Sequence, residues 1–300
     1  MRKLFGTVVL AGLVAAGAGW VLTAPDPLPE GSFAGVEGDA ERGQVVFTAA
    51  GCASCHHAPG AEGEDKLILA GGQRFVSDFG TFLSPNISPD PDHGIGAWSE
   101  EQFANAVMRG VSPGGEHLYP AFPYTAYARM GDRDLVDLWA FMRTLPPSSE
   151  PSKPHEVGFP FNIRRALGGW KLLYFDESWV MAGNDLGQEL TRGRYLVEAL
   201  AHCGECHTPR DALGGLKRAA WLSGAPNPNG TGTIPGLTPD KLSWSATDVA
   251  YYLETGFTPD FDSVGGHMAE VVENFSALSE EDRAAVAAYV KALPEGGAMN

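Results

Sequence analysis

The chain is poor in cysteine and in positive charge, and it has no alternating apolar–polar run long enough to read as a strand. Its four cysteines, Cys52, Cys55, Cys203 and Cys206, all fall in two C-x-x-C units, so none is left over for a structural disulfide. Lys and Arg number 21 against 37 Asp and Glu, a formal charge of −16. That balance disfavours nucleic acid as a partner; it keeps the chain soluble and can steer a basic protein patch toward it. A hydrophobic content of 44% excludes a largely disordered protein, and 300 residues suffice for two domains.

The one long uncharged run lies at the N-terminus. Arg2 and Lys3 precede Leu4 to Ala24, and Pro25-Asp26-Pro27 stops the run. Twenty-one helical residues cover about 30 Å, enough for a bilayer core. A cleaved signal usually ends in a small-x-small site, whereas here Gly17-Ala18-Gly19 lies inside the run, and Trp20 near the outer end suits a lipid–water boundary. The expectation is an uncleaved anchor over residues 1–24, a linker over 25–38 and export of the rest to the periplasmic side of a bacterial inner membrane. Cleavage would instead give a soluble periplasmic protein.

The remainder reads as one domain written twice. Arg42-Gly43 and Arg192-Gly193 each precede a C-x-x-C unit. Pro85 and Pro235 follow the first cysteine of their unit by 33 and 32 residues. Ala97-Trp98-Ser99 and Ser243-Trp244-Ser245 open segments that end at Gly110 and Gly256, and each half closes on a helix followed by Leu-Pro. Domains are expected over 39–147 and 189–300. Helical spacing places Phe103, Ala106 and Val107 on one face of a helix begun near Ser99. It places Leu135, Leu138, Trp139 and Met142 on another begun near Gly131-Asp132, and Val286, Tyr289, Val290 and Leu293 on a third begun at Ser279. All regular elements are expected to be helical. Residues 148–188 form a Pro/Ser-rich and then strongly aromatic connector, expected to pack on both domains.

Each C-x-x-C is followed at once by a histidine, His56 or His207. Two thiols spaced this way on one helical turn can add to the two vinyl groups of a haem, and the next imidazole then lies under the iron. A four-thiolate zinc site competes poorly, because 147 residues lie between Cys55 and Cys203. A thiol–disulfide site lacks its βαβ setting. The reading is two covalently bound haem c groups, at Cys52/Cys55 and Cys203/Cys206, with His56 and His207 on the irons.

Gly71-Gly72, Phe79-Gly80-Thr81, the run Pro85 to Asp90, the run Gly94 to Ser99 and the run Leu118 to Tyr124 carry a family likeness. Over residues of about 39–147 and 189–294 the chain resembles the cytochrome c subunits of bacterial membrane-bound alcohol, gluconate and aldehyde dehydrogenases, and the smaller dihaem cytochromes c related to them. Those dehydrogenase subunits typically carry three haem motifs; two here place the chain nearer the dihaem relatives. The implied fold is all-α, two tandem class I cytochrome c-like domains.

The resemblance puts the second domain's axial methionine in the loop before its last helix, at Met268, with His267 as rival and a packing methionine as the bland alternative. In the first domain the family's methionine position holds Phe122, which cannot ligate iron. Met130 is the nearest substitute, His117 a nitrogen alternative, and an open site a third, while Met108 and Met142 read as core. Pro85 and Pro235 can accept from the outer N–H of the haem histidines. Trp98 and Trp244 suit either haem edges or core, and Arg42 and Arg192 either propionates or helix surfaces. His57 and His202 read as surface, His93 and His155 as solvated loop residues. The function expected is electron transfer between a dehydrogenase or quinol-linked donor and a downstream cytochrome or oxidase. A peroxidase-like or thiosulfate-oxidising enzyme with an open first site is the alternative.

Overall fold

The computed structural model describes residues 2–183, 185–228, 230 and 232–298. Helix α1 (Arg2–Leu22) leads the chain. The side chains of Arg2, Lys3 and Leu4, part of the anchor reading, lie outside the described residues. Among the described residues no helix is long and apolar enough to cross a membrane, so the expected anchor finds no support in α1.

The first domain begins with α2 (Ala40–Ala50), whose N-cap Asp39 accepts from the N–H groups of Glu41 and Arg42. Gly51, at φ 64°, ends α2 in the left-handed region and turns the chain directly into α3 (Cys52–His56). A hairpin follows, β1 (Arg74–Ser77) against β2 (Gly80–Leu83). Helix α4 (Glu100–Arg109) has a full capping box of Ser99 and Gln102 and stops at left-handed Gly110. After α5 (Tyr124–Tyr127), helix α6 (Asp132–Met142) closes the domain.

Helix α7 (Ala166–Tyr174) belongs to the connector. The second domain repeats the first. Helix α8 (Gln188–Tyr195) runs on as a single π-turn over Leu196–Leu200 into α9 (Gly204–His207). A short ladder pairs β3 (Ala225–Pro226) with β4 (Thr233–Ile234). Helix α10 (Ala246–Thr255) carries a Ser245/Asp248 capping box, and α11 (Met268–Ser276) and α12 (Glu280–Lys291) follow. Ser279 accepts from the N–H of Asp282 at the start of α12.

The two ladders correct the all-helical expectation. Their strands are two to four residues long, too short for alternation to show in the sequence. The first is held by tertiary contact as well, since Thr81 and Glu156 of the connector exchange backbone hydrogen bonds at 3.1 and 2.9 Å. Helix α11 is likewise an element where only a loop was read.

Each domain is closed by its first and last helices crossing at a glycine. A Cβ on Gly43 would lie 1.9 Å from the Asp137 carbonyl oxygen of α6, and one on Gly193 would lie 2.0 Å from that of Ala285 in α12. Only a residue without a side chain permits backbones this close. The buried stripes Leu135, Leu138, Trp139, Met142 and Val286, Tyr289, Val290, Leu293 line these crossings as the periodicity implies.

Arg42 and Arg192, one residue before these glycines, bind carboxylates of the crossing helix. Arg42 grips Asp137 at 2.7 and 2.9 Å, and Arg192 grips Asp282 at 2.7 and 2.9 Å. They are helix clasps, and their guanidinium groups are committed to protein carboxylates. Burial pushes the Asp137 carboxyl up, but hydrogen bonds from Arg42 and the Asp39 N–H outweigh it, and its pKa ends below the ordinary 3.8. A carboxyl depressed in the folded state contributes stability above its unfolded pKa and loses it as pH falls through the folded one. Thermal unfolding should therefore steepen in its pH dependence below about pH 4. Asp137→Asn should lower the melting temperature at pH 7 and flatten that acid limb; an unchanged limb in acid titrations of melting would count against the clasp.

Candidate haem sites and the junction between them

In each domain the turn with two cysteines begins where the first helix ends, which sets both sulfurs and the histidine on one short helical turn. The His56 Nδ1 lies 2.9 Å from the Pro85 carbonyl oxygen, and the His207 Nδ1 lies 2.8 Å from that of Pro235. A carbonyl can only accept, so Nδ1 carries the proton and Nε2 keeps its lone pair. Burial lowers the pKa of both imidazoles, with the proline carbonyl pulling the other way, which favours the neutral form that can bind a metal.

The peptide N–H groups of Gly71 and Gly224 donate to the His56 and His207 carbonyls at 2.7 and 2.8 Å. Both glycines sit at positive φ, and a Cβ on Gly71 would lie 2.5 Å from Pro85. The loop holding each proline carbonyl is thus fastened back onto the histidine it orients.

The thiols are free and unpaired in disulfides. Burial pushes Cys52 and Cys203 up to about 12 and, with the nearby Cys206 sulfur and Glu270 adding to it, Cys55 up to about 11. These surroundings disfavour a thiolate and suit a neutral thioether. Paired neutral thiols on one turn, followed by an imidazole with a lone pair, fit a covalently attached haem.

The candidates for the sixth ligand differ in setting. Met268 is the first residue of α11, partly exposed, just after left-handed Gly266. Adjacent His267 is exposed. Met130 is 3% exposed in the tight turn between α5 and α6, its N–H donating to the Tyr127 carbonyl at 2.8 Å. Phe122 packs on the same core, 5.7 Å from the Tyr127 ring. His117 is buried, and its Nε2 lies 2.9 Å from the Thr23 carbonyl oxygen beyond the end of α1. Met108 and Met142 are core residues, as read. Trp98 and Trp244 are partly buried against the core.

Three histidine readings change. His57 is buried, with its Nδ1 2.7 Å from the Ala58 carbonyl oxygen. His155 accepts from the Leu83 N–H at 3.1 Å and packs against Phe82 and Tyr119. His202 stands at left-handed φ 41° with its ring edge-on to Tyr127 at 5.6 Å. His155 and His202 are drawn inward by segments distant in sequence, and His57 meets the side-chain amide of Gln73 at 3.2 Å. His93 stays in its loop beside Asp90, with its ring nitrogen 3.5 Å from that carboxylate.

His202 and Tyr127 belong to a junction that sequence reasoning missed. The two cysteine turns face one another across it. Asn274 of α11 donates to the Ser54 hydroxyl inside the first turn at 2.9 Å, and Thr125 donates to Glu205 inside the second at 3.1 Å. Lys66 bridges Glu270 and Glu273 at 3.0 and 2.6 Å, and the Tyr195 hydroxyl joins Asp134 to the Gly131 N–H. The Tyr127 hydroxyl donates to the Ala50 carbonyl at 3.0 Å. Single serine, asparagine and threonine residues give no local sign of such pairing.

A second missed feature is Glu198, 1% exposed on the π-turn ahead of the second cysteine pair. It accepts from the N–H groups of Val180 and Met181 in the connector and from the Tyr289 hydroxyl, which itself accepts from the Trp221 indole. These bonds satisfy an acid that would otherwise be costly to bury.

The model of the cytochrome c family matches residues 40–146 and 190–294, one match per domain. A diheme c-type cytochrome of Cereibacter sphaeroides is 55% identical over 294 residues, 98% of this chain and 99% of that protein. The fructose dehydrogenase cytochrome subunit of Gluconobacter japonicus is 36% identical over 300 residues, 98% of this chain and 60% of that subunit. The gluconate 2-dehydrogenase cytochrome c subunit of Pantoea cypripedii is 36% identical over 268 residues, 84% of this chain and 59% of that subunit. The chain spans about three fifths of these two dehydrogenase subunits. With a cytochrome c domain in each half and a C-x-x-C-H turn in each domain, the chain belongs to the cytochrome c family, as an electron-transfer protein with two covalently bound haem c groups.

Proposed function

We propose that the protein carries electrons on the periplasmic side of the inner membrane, from a dehydrogenase or quinol-linked donor to a downstream cytochrome or oxidase. The observation that carries this reading is the pair of cysteine turns facing each other across a hydrogen-bonded junction, which suits stepwise transfer. The names of the fructose and gluconate dehydrogenase subunits support a dehydrogenase as donor. When bound, each haem supplies an iron that takes up and releases one electron.

The protein's own groups do the rest. Cys52 and Cys55 would hold the first haem and Cys203 and Cys206 the second, and His56 and His207, their rings fixed by Pro85 and Pro235, would offer Nε2 to the irons. Met268 is assigned to the second iron and Met130 to the first. Export and tethering are read from the uncharged run Leu4–Ala24.

Acid–acetone extraction should leave both haems on the polypeptide, and the intact mass should exceed that of the chain by two haems. A mass with one haem or none would end the assignment.

Met268→Ala should remove one of two sulfur–iron charge-transfer contributions at the red end of the oxidised spectrum and lower the potential of one haem. Met130→Ala should do the same to the other. If Met130→Ala leaves both haems low-spin at unchanged potentials, Met130 is a packing residue.

The full-length protein should sediment with membranes and resist a salt wash. An intact mature chain beginning near Pro25 would show cleavage and reject the tether while leaving export standing.

A further inference from the structure

The chain's charge inverts in one segment. Between Glu156 and Asp176 there is no carboxylate, while Arg164, Arg165 and Lys171 supply three positive charges in a protein of net charge −16. The same segment carries an uncovered row of large apolar side chains. Phe159 is 82% exposed, Leu173 67% and Leu172 62%, with Phe161 and Ile163 also exposed. A soluble surface does not need this many apolar side chains together, and such a patch marks a contact.

The position of the segment decides what covers it. The Arg165 guanidinium lies 4.2 Å over the Trp20 ring and donates to the Trp20 carbonyl. Gly168 faces the Thr23 carbonyl so closely that a Cβ would lie 2.1 Å from its oxygen. The end of α1 is therefore seated on the start of α7. Trp20, Val21 and Leu22, all exposed, continue the apolar surface of the connector into α1.

The three cations each donate to a backbone carbonyl of the protein. Arg164 stacks 4.7 Å over Tyr119 and donates to the His117 carbonyl, and Lys171 donates to the Arg109 and Gly110 carbonyls. The neighbouring carboxylates Asp26 and Glu177 are both paired with Arg109, and Asp211 accepts from the Tyr174 hydroxyl. Exposed apolar side chains interspersed with cations in one segment match the boundary between anionic headgroups and acyl chains.

We propose that this face of the connector, from Phe159 to Ile163 and at Leu172 and Leu173, lies in the headgroup layer of an anionic phospholipid membrane. It forms a second membrane contact beside α1. The inference rests on the tether reading, because α1 brings the face to the bilayer. Two contacts that share no hinge would fix the orientation of both haem domains to the membrane, which one helix alone cannot do.

Because the four native cysteines are consumed by haem attachment, an introduced one is the only free thiol in the holoprotein. Full-length holoprotein carrying Leu173→Cys, Phe159→Cys or, as control, Phe261→Cys would be spin-labelled. Each would be reconstituted in phosphatidylethanolamine–phosphatidylglycerol vesicles. Phe261 is 87% exposed on the second domain. Power saturation should show positions 159 and 173 open to oxygen and closed to a water-soluble nickel complex, with position 261 the reverse. If all three behave alike while the protein floats with the vesicles, the tether stands and the second contact is overturned. Shielding of 159 and 173 from both reagents means contact with another protein copy and overturns it too. Failure to float overturns tether and contact together.

Discussion

Two helix crossings carry the architecture, and each depends on the absence of one side chain. At Gly43 and Gly193 the first helix of a domain presses its backbone against the last, with no room for a methyl group. A shared close approach at equivalent points explains why the two halves put their cysteine turns in the same place relative to their cores. It also explains the arginine one residue earlier, which is carried against the opposing helix and finds a carboxylate there. The clasps are not identical. Arg42 reaches Asp137, whose own carbonyl faces Gly43, whereas Arg192 reaches Asp282, nearly one turn before Ala285.

From these crossings the haem-binding chemistry follows by short links. The first helix ends at the cysteine turn, the turn delivers the histidine, and a loop some thirty residues on returns a proline carbonyl to its Nδ1. A buried imidazole with its proton committed to a carbonyl is a ready neutral ligand. The thiols beside it are kept un-ionised by burial, which suits conversion to thioethers more than it suits redox or zinc chemistry.

The two domains meet at the face where their cysteine turns lie. The polar bonds there are few and specific, Asn274 to Ser54 and Thr125 to Glu205, and the ring of Tyr127 lies edge-on to His202. The connector reinforces the arrangement from outside. Its Tyr174 hydroxyl donates to Asp211 of the second domain, and Lys171 donates to carbonyls at the end of α4 in the first. It also leaves part of its own apolar surface uncovered, so bridging the domains does not account for all of its aromatic and aliphatic residues.

Motif spacing, the order of repeated landmarks and capping residues were legible in the linear chain because each is local. Cys-x-x-Cys-His fits on one turn, Ser99 and Gln102 cap one helix, and Pro85 and Pro235 recur at nearly the same offset. These set the family, the duplication, the haem count and the oriented histidines. Features that depend on distant segments were not legible. The burial of His155 and His202, the clasp partners Asp137 and Asp282 and the Glu198 network arise where segments tens of residues apart are pressed together, while the short ladders are local hairpins whose strands are too brief for alternation to show. A single residue there carries no periodic or spacing signal. The sequence by itself determined what each turn can bind; the tertiary structure alone decided that the two turns face each other, because their approach rests on contacts whose partners lie in different domains.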